Sequence, residues 1–267
     1  MLWGNAMTPA IQIENLGLSL TGSTILSDLS IKIQPGEFVS IVGPNGAGKT
    51  SLIKCLARIH ANWTGNVRID GNDLNALPQR SLAKQVSYVP QAEGRRLPFT
   101  VNEFVLMGRY PHLSPFSSVS AEDKVAAREA LATAGAERFA HRQLDTLSGG
   151  ERQMVFIAAA LAQGASIMLL DEPTAFLDYR HQVEVATLLT RLHREQGITI
   201  LSVSHDINAA CTQSDRVVAL KHGTVFFDGP PADIVKRGVL EDLYEAPFTY
   251  TPSNTHALPI ITPGGAA

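Results

Sequence analysis

Eight consecutive residues carry the strongest chemical signal in this chain: Gly43-Pro44-Asn45-Gly46-Ala47-Gly48-Lys49-Thr50, followed by Ser51. Glycines at this spacing let the backbone curl until its N–H groups point inward at phosphate oxygens. An apolar, strand-like run, Phe38 to Val42, leads into the loop, and a helical pattern with Leu52, Cys55, Leu56 and Ile59 at i, i+3, i+4 and i+7 leads out. That is the context in which G-x-x-x-x-G-K-[ST] cradles a nucleoside polyphosphate. The helix N-terminus adds a positive dipole end. Lys49 is expected to reach the β- and γ-phosphates, and the Thr50 hydroxyl to ligate Mg²⁺. The plainer reading, a Gly-rich turn with an incidental Lys-Thr, would leave the flanking strand and helix as coincidence.

A pair of acids forms the second constellation. Ile167-Met168-Leu169-Leu170 reads as a buried strand, and it ends in Asp171-Glu172. The carboxyl ends of strands are where α/β sheets place their ligands. Asp171 is expected to serve Mg²⁺, through water, and Glu172 to accept a proton from an attacking water. Two solvated acids at a strand exit would be unremarked alone; beside a phosphate loop they read as a hydrolytic pair.

Short apolar runs alternate with helical patterns, which predicts an α/β fold. Ile11 to Leu20 and Ile25 to Ile33 read as early strands, and Val67-Arg68-Ile69 as a strand ending in an Asp70-Gly71 turn. From about Thr100 to Leu161 the patterns are helical, with Ser120-Ala121-Glu122-Asp123 as a cap and acidic first turn. Ile198 to Val203 reads as a strand, preceded by a helix with Val185, Leu188, Leu189 and Leu192 on one face. Val217 to Leu220 and Val225 to Phe227 flank a hairpin turn at Lys221-His222-Gly223-Thr224. The Pro-containing segment after Tyr250 reads as a loosely ordered tail.

Composition narrows the class. Hydrophobic residues at 45% suit a packed core rather than disorder, and a net charge of -3 shows no basic surplus for a nucleic-acid partner. Cys55 and Cys211 lie in no CxxC or Cys/His cluster, so free thiols in a reducing compartment are expected. The longest apolar stretch, Val155 to Ala162, is far too short to cross a bilayer, and Met1 to Ala6 has no signal-peptide pattern; Met7 is an alternative start. The expectation is a soluble, cytoplasmic protein whose membrane role, if any, comes through a partner.

Leu147-Ser148-Gly149-Gly150-Glu151 lies between the two phosphate-site motifs, just before a helix, and resembles the signature of ABC ATPases. The order of motifs over nearly the whole chain is similar to theirs. Gln91 follows the strand Val86 to Val89 like the family's Q-loop, Asp178 follows Glu172-Pro173-Thr174 like its D-loop, and His205 follows Val203 like its switch histidine. Six motifs in one order are far more specific than any alone. The resemblance implies a P-loop NTPase with a RecA-like α/β core, an antiparallel β portion and an inserted helical lobe. The ATPase domain would span 8–250, with the helical lobe at about 92–162 and a tail at 251–267. It implies that Gly43 to Ser51 bind ATP, that Thr50, Gln91 and Asp171 serve Mg²⁺, and that Glu172, Gln91 and His205 are catalytic. Ser148, Gly149, Gly150 and Glu151 would close over ATP held by a second copy in a head-to-tail dimer, with Asp178 speaking across it.

Four positions, in three motifs, depart from the family pattern. Leu20 stands where an adenine-stacking aromatic is usual, Met154 and Ala159 where arginines are common, and Phe176 where a small residue is common. Gly108-Arg109-Tyr110-Pro111-His112 resembles the ATPases of iron-siderophore, haem and cobalamin importers. It falls in the helical region that receives the permease in this family. The ending from Asp228 to Tyr244 resembles the same group. The implied partners are permease subunits and, indirectly, a periplasmic or surface substrate-binding protein, with the chain peripheral at the cytoplasmic face of the inner membrane. The competing readings are another ABC system, such as a separate-subunit exporter, and a soluble ABC ATPase outside transport.

Overall fold

The computed structural model describes residues 8–91, 97–114, 118–253 and 257–264. Met1 and Met7, the two possible starts, and Ala92, where the helical lobe is expected to begin, lie outside the described residues. The chain divides into two compact units, Met1–Ala76 with Thr199–Ala267, and Leu77–Ile198.

The first unit opens with β1 (Ile11–Leu20), β2 (Ser23–Ile33) and β3 (Phe38–Val42), continues through α1 (Lys49–Leu56), and adds β4 (Trp63–Ile69) and β5 (Asn72–Asp73). An antiparallel sheet runs β2-β1-β4-β5. Along β1 the inward residues are Ile11, Ile13, Leu16 and Leu18, so the apolar frame slips by one. Strict alternation cannot absorb that slip. The register with β2 shifts between Ile13 and Leu16, with Asn15 at φ 52°, a bulge that returns both pairs to the core.

The second unit carries α2 (Gln79–Gln85), β6 (Val86–Val89), α3 (Val101–Met107), α4 (Ala121–Thr133), α5 (Gly149–Ala162), β7 (Ile167–Asp171) and α6 (Tyr179–Gln196). β6 and β7 pair in parallel, Val86 opposite Ile167 through Val89 opposite Leu170. Thr100, Ser120 and Ser148 begin α3, α4 and α5 with reciprocal capping boxes. α6 buries Val185, Leu188, Leu189 and Leu192, the face its period predicts. It stops at Gly197, at φ 65°.

The Gly-Arg-Tyr-Pro-His run braces this unit internally. A side chain on Gly108 would lie 2.3 Å from the Ala159 carbonyl oxygen, so α3 meets α5 at glycine distance. Arg109 donates to Asp123 at 3.1 Å and to the Ala162 carbonyl at 2.7 Å, and His112 Nε2 lies 2.8 Å from the Gln163 carbonyl oxygen. The Ser120 hydroxyl, and after it the Arg109 guanidinium, hold the Asp123 carboxyl below its usual range.

The chain returns to the first unit with β8 (Thr199–Val203), α7 (Ile207–Gln213), β9 (Arg216–Lys221), β10 (Thr224–Gly229), α8 (Pro231–Ile234), α9 (Val239–Tyr244), β11 (Phe248–Thr251) and β12 (Ile260–Pro263). β3 pairs in parallel with β8 on one side and β9 on the other. Every residue of β3 and β8 is buried, as expected of parallel strands covered on both faces. The segment after Tyr250 departs from the expected loose tail. β11 and β12 pair, Asn208 bonds both the N–H and the C=O of Ile261 at 2.8 and 2.9 Å, and Ile261 is buried among α7, β9 and α9. Among the described residues, no helix is long and apolar enough to cross a membrane.

Candidate active site

The phosphate loop occupies the turn from β3 into α1. Gly43 sits at φ 136°, and a Cβ there would lie 2.1 Å from the Leu220 carbonyl oxygen. Gly48, the N-cap of α1, sits at φ 96°, and its Cβ would fall 2.5 Å from Leu26 Cδ2. Both positions therefore demand glycine for conformation and for space. Lys49 is 6% exposed, and its ammonium donates to the Gly43 and Pro44 carbonyls at 2.7 and 3.0 Å, holding the loop curled around it. The first turn of α1 has no acidic residue, so its positive end is left for an anion. A glycine-lined cradle with a buried lysine at a helix start fits the phosphates of a nucleotide.

Tyr244, far along the chain in α9, is in hydrogen-bond contact with the Gly43 backbone, while burial pushes its phenol up. The same C-terminal turn places Glu245 beside Lys221 at 2.8 Å. Lys221, Tyr244 and Glu245 line a cavity of about 150 Å³ with Asn45, Gly46 and Ala47. His205 is exposed in the turn from β8 to α7, between Ser204, whose N–H bonds the Ile41 carbonyl, and Asp206, the cap of α7.

The remaining predicted residues stand in the second unit. Asp171 ends β7 and is 4% exposed, with the Tyr88 hydroxyl 3.5 Å from Oδ2. Glu172 follows at φ 51°, a left-handed conformation that costs a non-glycine residue about 1–3 kcal/mol. Gln91 Nε2 donates to Glu172 Oε2 at 3.1 Å, which brings two of the expected catalytic residues together. The Glu172 carbonyl accepts from Ala175 N–H at 3.1 Å, closing the turn toward Asp178. Within it Phe176, at φ 59°, is 94% exposed.

The signature run forms the start of α5. Ser148 Oγ accepts from Glu151 N–H at 3.3 Å, and the Glu151 carboxylate accepts from Ser148 N–H at 2.9 Å. The Ser148 hydroxyl is also in hydrogen-bond contact with the Glu151 carboxylate, so the cap uses it on both sides. The Ser148 backbone N–H, more than the nearby Arg142, holds the Glu151 carboxyl below its usual range. Asp178 caps α6 by accepting from His181 N–H at 2.9 Å. Among the described residues, no group of three or more His, Cys, Asp and Glu could hold a metal ion. Taken one by one, the Thr50 hydroxyl of the first unit and the Gln91 amide and Asp171 carboxylate of the second offer hard oxygens, the kind that suits Mg²⁺ carried by phosphates and water.

Sequence reasoning missed Tyr88, Tyr244 and His181. Tyr88 could have been sought in the strand leading to Gln91, and His181 three residues after Asp178, which it bonds; Tyr244 is brought in by tertiary packing and carries no local motif.

Comparison with known proteins identifies the family. The ABC transporter family profile matches residues 26–175. The iron(3+)-hydroxamate import ATP-binding protein FhuC of Bacillus subtilis is 39% identical over 236 residues, 88% of each chain. A metal-chelate type ABC transporter in an inward-facing conformation superposes with a TM-score of 0.83 at 26% identity, covering 96% of this chain and 98% of that one. A dimeric post-hydrolysis state of the ATP-binding cassette MJ0796, bound to ADP and phosphate, gives a TM-score of 0.71 at 31% identity, covering 83% of this chain and 98% of that one. On this family match and these similarities the chain belongs to the ABC transporter family as an ATP-binding, ATP-hydrolysing subunit.

Proposed function

We propose that this chain is the motor of an importer for an iron-siderophore, haem or cobalamin-type cargo, driving a partner permease at the cytoplasmic face of the membrane. The observation that carries the motor role is Lys49, buried within the Gly43–Thr50 cradle. FhuC supports the import role, since its matched region spans 88% of both chains. A substrate-binding protein outside the membrane would deliver the cargo.

Gly43 to Ser51 hold the ATP phosphates through backbone N–H groups, and Lys49 exchanges carbonyl partners for phosphate oxygens. Thr50, Gln91 and Asp171 would hold Mg²⁺, which when bound supplies charge neutralisation at the phosphates. Water attacks the γ-phosphorus as the bond to the ADP oxygen breaks, and Glu172 accepts the proton. The 3.1 Å bond from Gln91 supports this role, because it fixes the orientation of that carboxylate. His205 meets the γ-phosphate.

Ser148, Gly149, Gly150 and Glu151 complete the site on a second copy, arranged head to tail, with Asp178 at the same junction. The dimeric MJ0796 cassette, bound to ADP and phosphate, supports the pairing of two copies. Leu20, at the end of β1, gives the base an apolar contact in place of an aromatic stack.

The test is hydrolysis by the chain reconstituted with its permease and binding protein, with and without each cargo. Stimulation by an iron chelate, haem or cobalamin is expected. Hydrolysis that no member of this cargo class alters would refute the import reading.

A further inference from the structure

Gly150 is the second residue of α5 and is buried. A Cβ placed on it would lie 2.1, 2.3 and 2.6 Å from His181 Cγ, Cδ2 and Cβ. The last of these atoms adjoins the α6 backbone, so no rotation of the ring alone would relieve it. The imidazole therefore rests on the signature helix start at a distance only glycine permits. The same ring bonds the other way, with Nδ1 2.8 Å from Asp178 Oδ1. Asp178 is held well below the usual carboxylate range by the His181 backbone N–H and then by its ring. A carboxylate only accepts, so Nδ1 carries the proton and donates.

We propose that His181 is a positioning residue that ties the Asp178 segment to the Ser148-Gly149-Gly150 helix start, so that the two elements facing the second copy move as one. This rests on the dimeric ATPase reading above and adds a residue to it.

The fastening has three parts. α6 is an 18-residue helix anchored by four buried apolar residues, so His181, in its first turn, has a fixed base. Leu177 is held by Gln182, which donates to its carbonyl at 3.0 Å. Leu177 Cδ2 in turn stands 3.7 Å from where a Cβ on Gly149 would be, so the Asp178 segment touches both signature glycines. At its other end this segment begins with Glu172, whose carbonyl accepts from Ala175 N–H. A displacement of the hydrolytic carboxylate thus has a short, bonded route to the surface that grips the other copy's nucleotide. A residue that only capped a helix would need the bond to Asp178 and not the contact with Gly150.

Steady-state hydrolysis by the permease complex tests this with His181→Ala, His181→Asn, His181→Gln, Gly150→Ala and the Gly150→Ala/His181→Ala pair. His181→Ala is expected to lower kcat five- to tenfold while half-saturating ATP moves less than twofold. His181→Asn, whose amide nitrogen overlays Nδ1, keeps at least half the parent kcat; His181→Gln, whose amide is one carbon too far out, does not. Gly150→Ala loses at least tenfold, and adding His181→Ala recovers threefold or more of it, because the ring that blocks the new methyl is gone. His181→Ala within twofold of the parent, or a double variant no better than Gly150→Ala, overturns the proposal. If His181→Ala does not fold, the Asn and Gln variants decide, and equal kcat in the two overturns it. A parent complex that hydrolyses no ATP instead refutes the underlying motor reading.

Discussion

Replacing Gly43 by alanine asks more of the phosphate loop than its small size suggests. At φ 136° the position lies outside the regions open to an L-residue, a strain of about 1–3 kcal/mol. The new methyl would also stand 2.1 Å from the Leu220 carbonyl oxygen. Carbon and oxygen approach to about 3.3 Å, so loop and β9 must separate by roughly 1 Å. Overpacking of this kind costs about 1–3 kcal/mol, for a total of about 2–6 kcal/mol, or roughly 4–24 °C in Tm. The separation also moves the carbonyl that holds Lys49 at 2.7 Å. Misplacing a reacting group by about 1 Å costs roughly 100-fold in rate. Thermal melts and steady-state hydrolysis of Gly43→Ala should show both effects. Gly46→Ala is the internal control for stability: φ is 79°, but nothing lies within 4 Å of its Cβ, so only the left-handed cost of about 1–2 kcal/mol applies. If Gly43→Ala melts no lower than Gly46→Ala and keeps kcat/KM within threefold of the parent, the close approach to Leu220 is not what shapes the loop.

Burial pushes the Cys55 thiol up to about 11 and the Cys211 thiol up to about 12, so both should resist iodoacetamide at pH 8 in the folded protein and react once denaturant is added; equal rates in both states would contradict the burial. The depressed Glu151 carboxyl contributes stability fully above its ordinary value of 4.5, and loses it as pH falls through the lower folded value. Glu151→Gln, which keeps the cap geometry, should flatten the acid limb of Tm against pH, and an unchanged limb would count against the charged cap. Asn208→Ala removes both bonds to Ile261 and should cost about 1–3 kcal/mol, read as a lower Tm with earlier proteolytic loss of β12.

Much of this molecule is legible from local sequence because local physics dictates it. Gly43 and Gly48 are required by backbone conformation, and a lysine at a helix start marks an anion site before any contact is known. The all-apolar runs at Phe38–Val42 and Ile167–Leu170 announce strands buried on both faces, and four α6 residues fall on one side of a 3.6-residue period. The slip from Ile11 and Ile13 to Leu16 and Leu18 is also visible in sequence, although the bulge that accommodates it is set by pairing with β2. What cannot be read is what distant packing decides. β12 is four residues long and too short to declare itself; Asn208 orders it from 53 residues away. The Gly108–His112 run resembles a permease-facing region, while the internal role it also has, Gly108 close against Ala159 and Arg109 and His112 bonded to the Ala162 and Gln163 carbonyls, is set by packing. His181 shows no motif: Asp178 is its neighbour in the first turn of α6, but Gly150 meets it only when α5 and α6 pack.

The most direct test of the motor itself is the Glu172→Gln variant of the full chain with magnesium and ATP, followed by light scattering and analysis of bound nucleotide. A species of twice 28.7 kDa holding uncleaved ATP, beside a parent that releases phosphate, is the expected result. A variant that stays at 28.7 kDa and cleaves ATP as fast as the parent would remove Glu172 as the proton acceptor and the paired site with it.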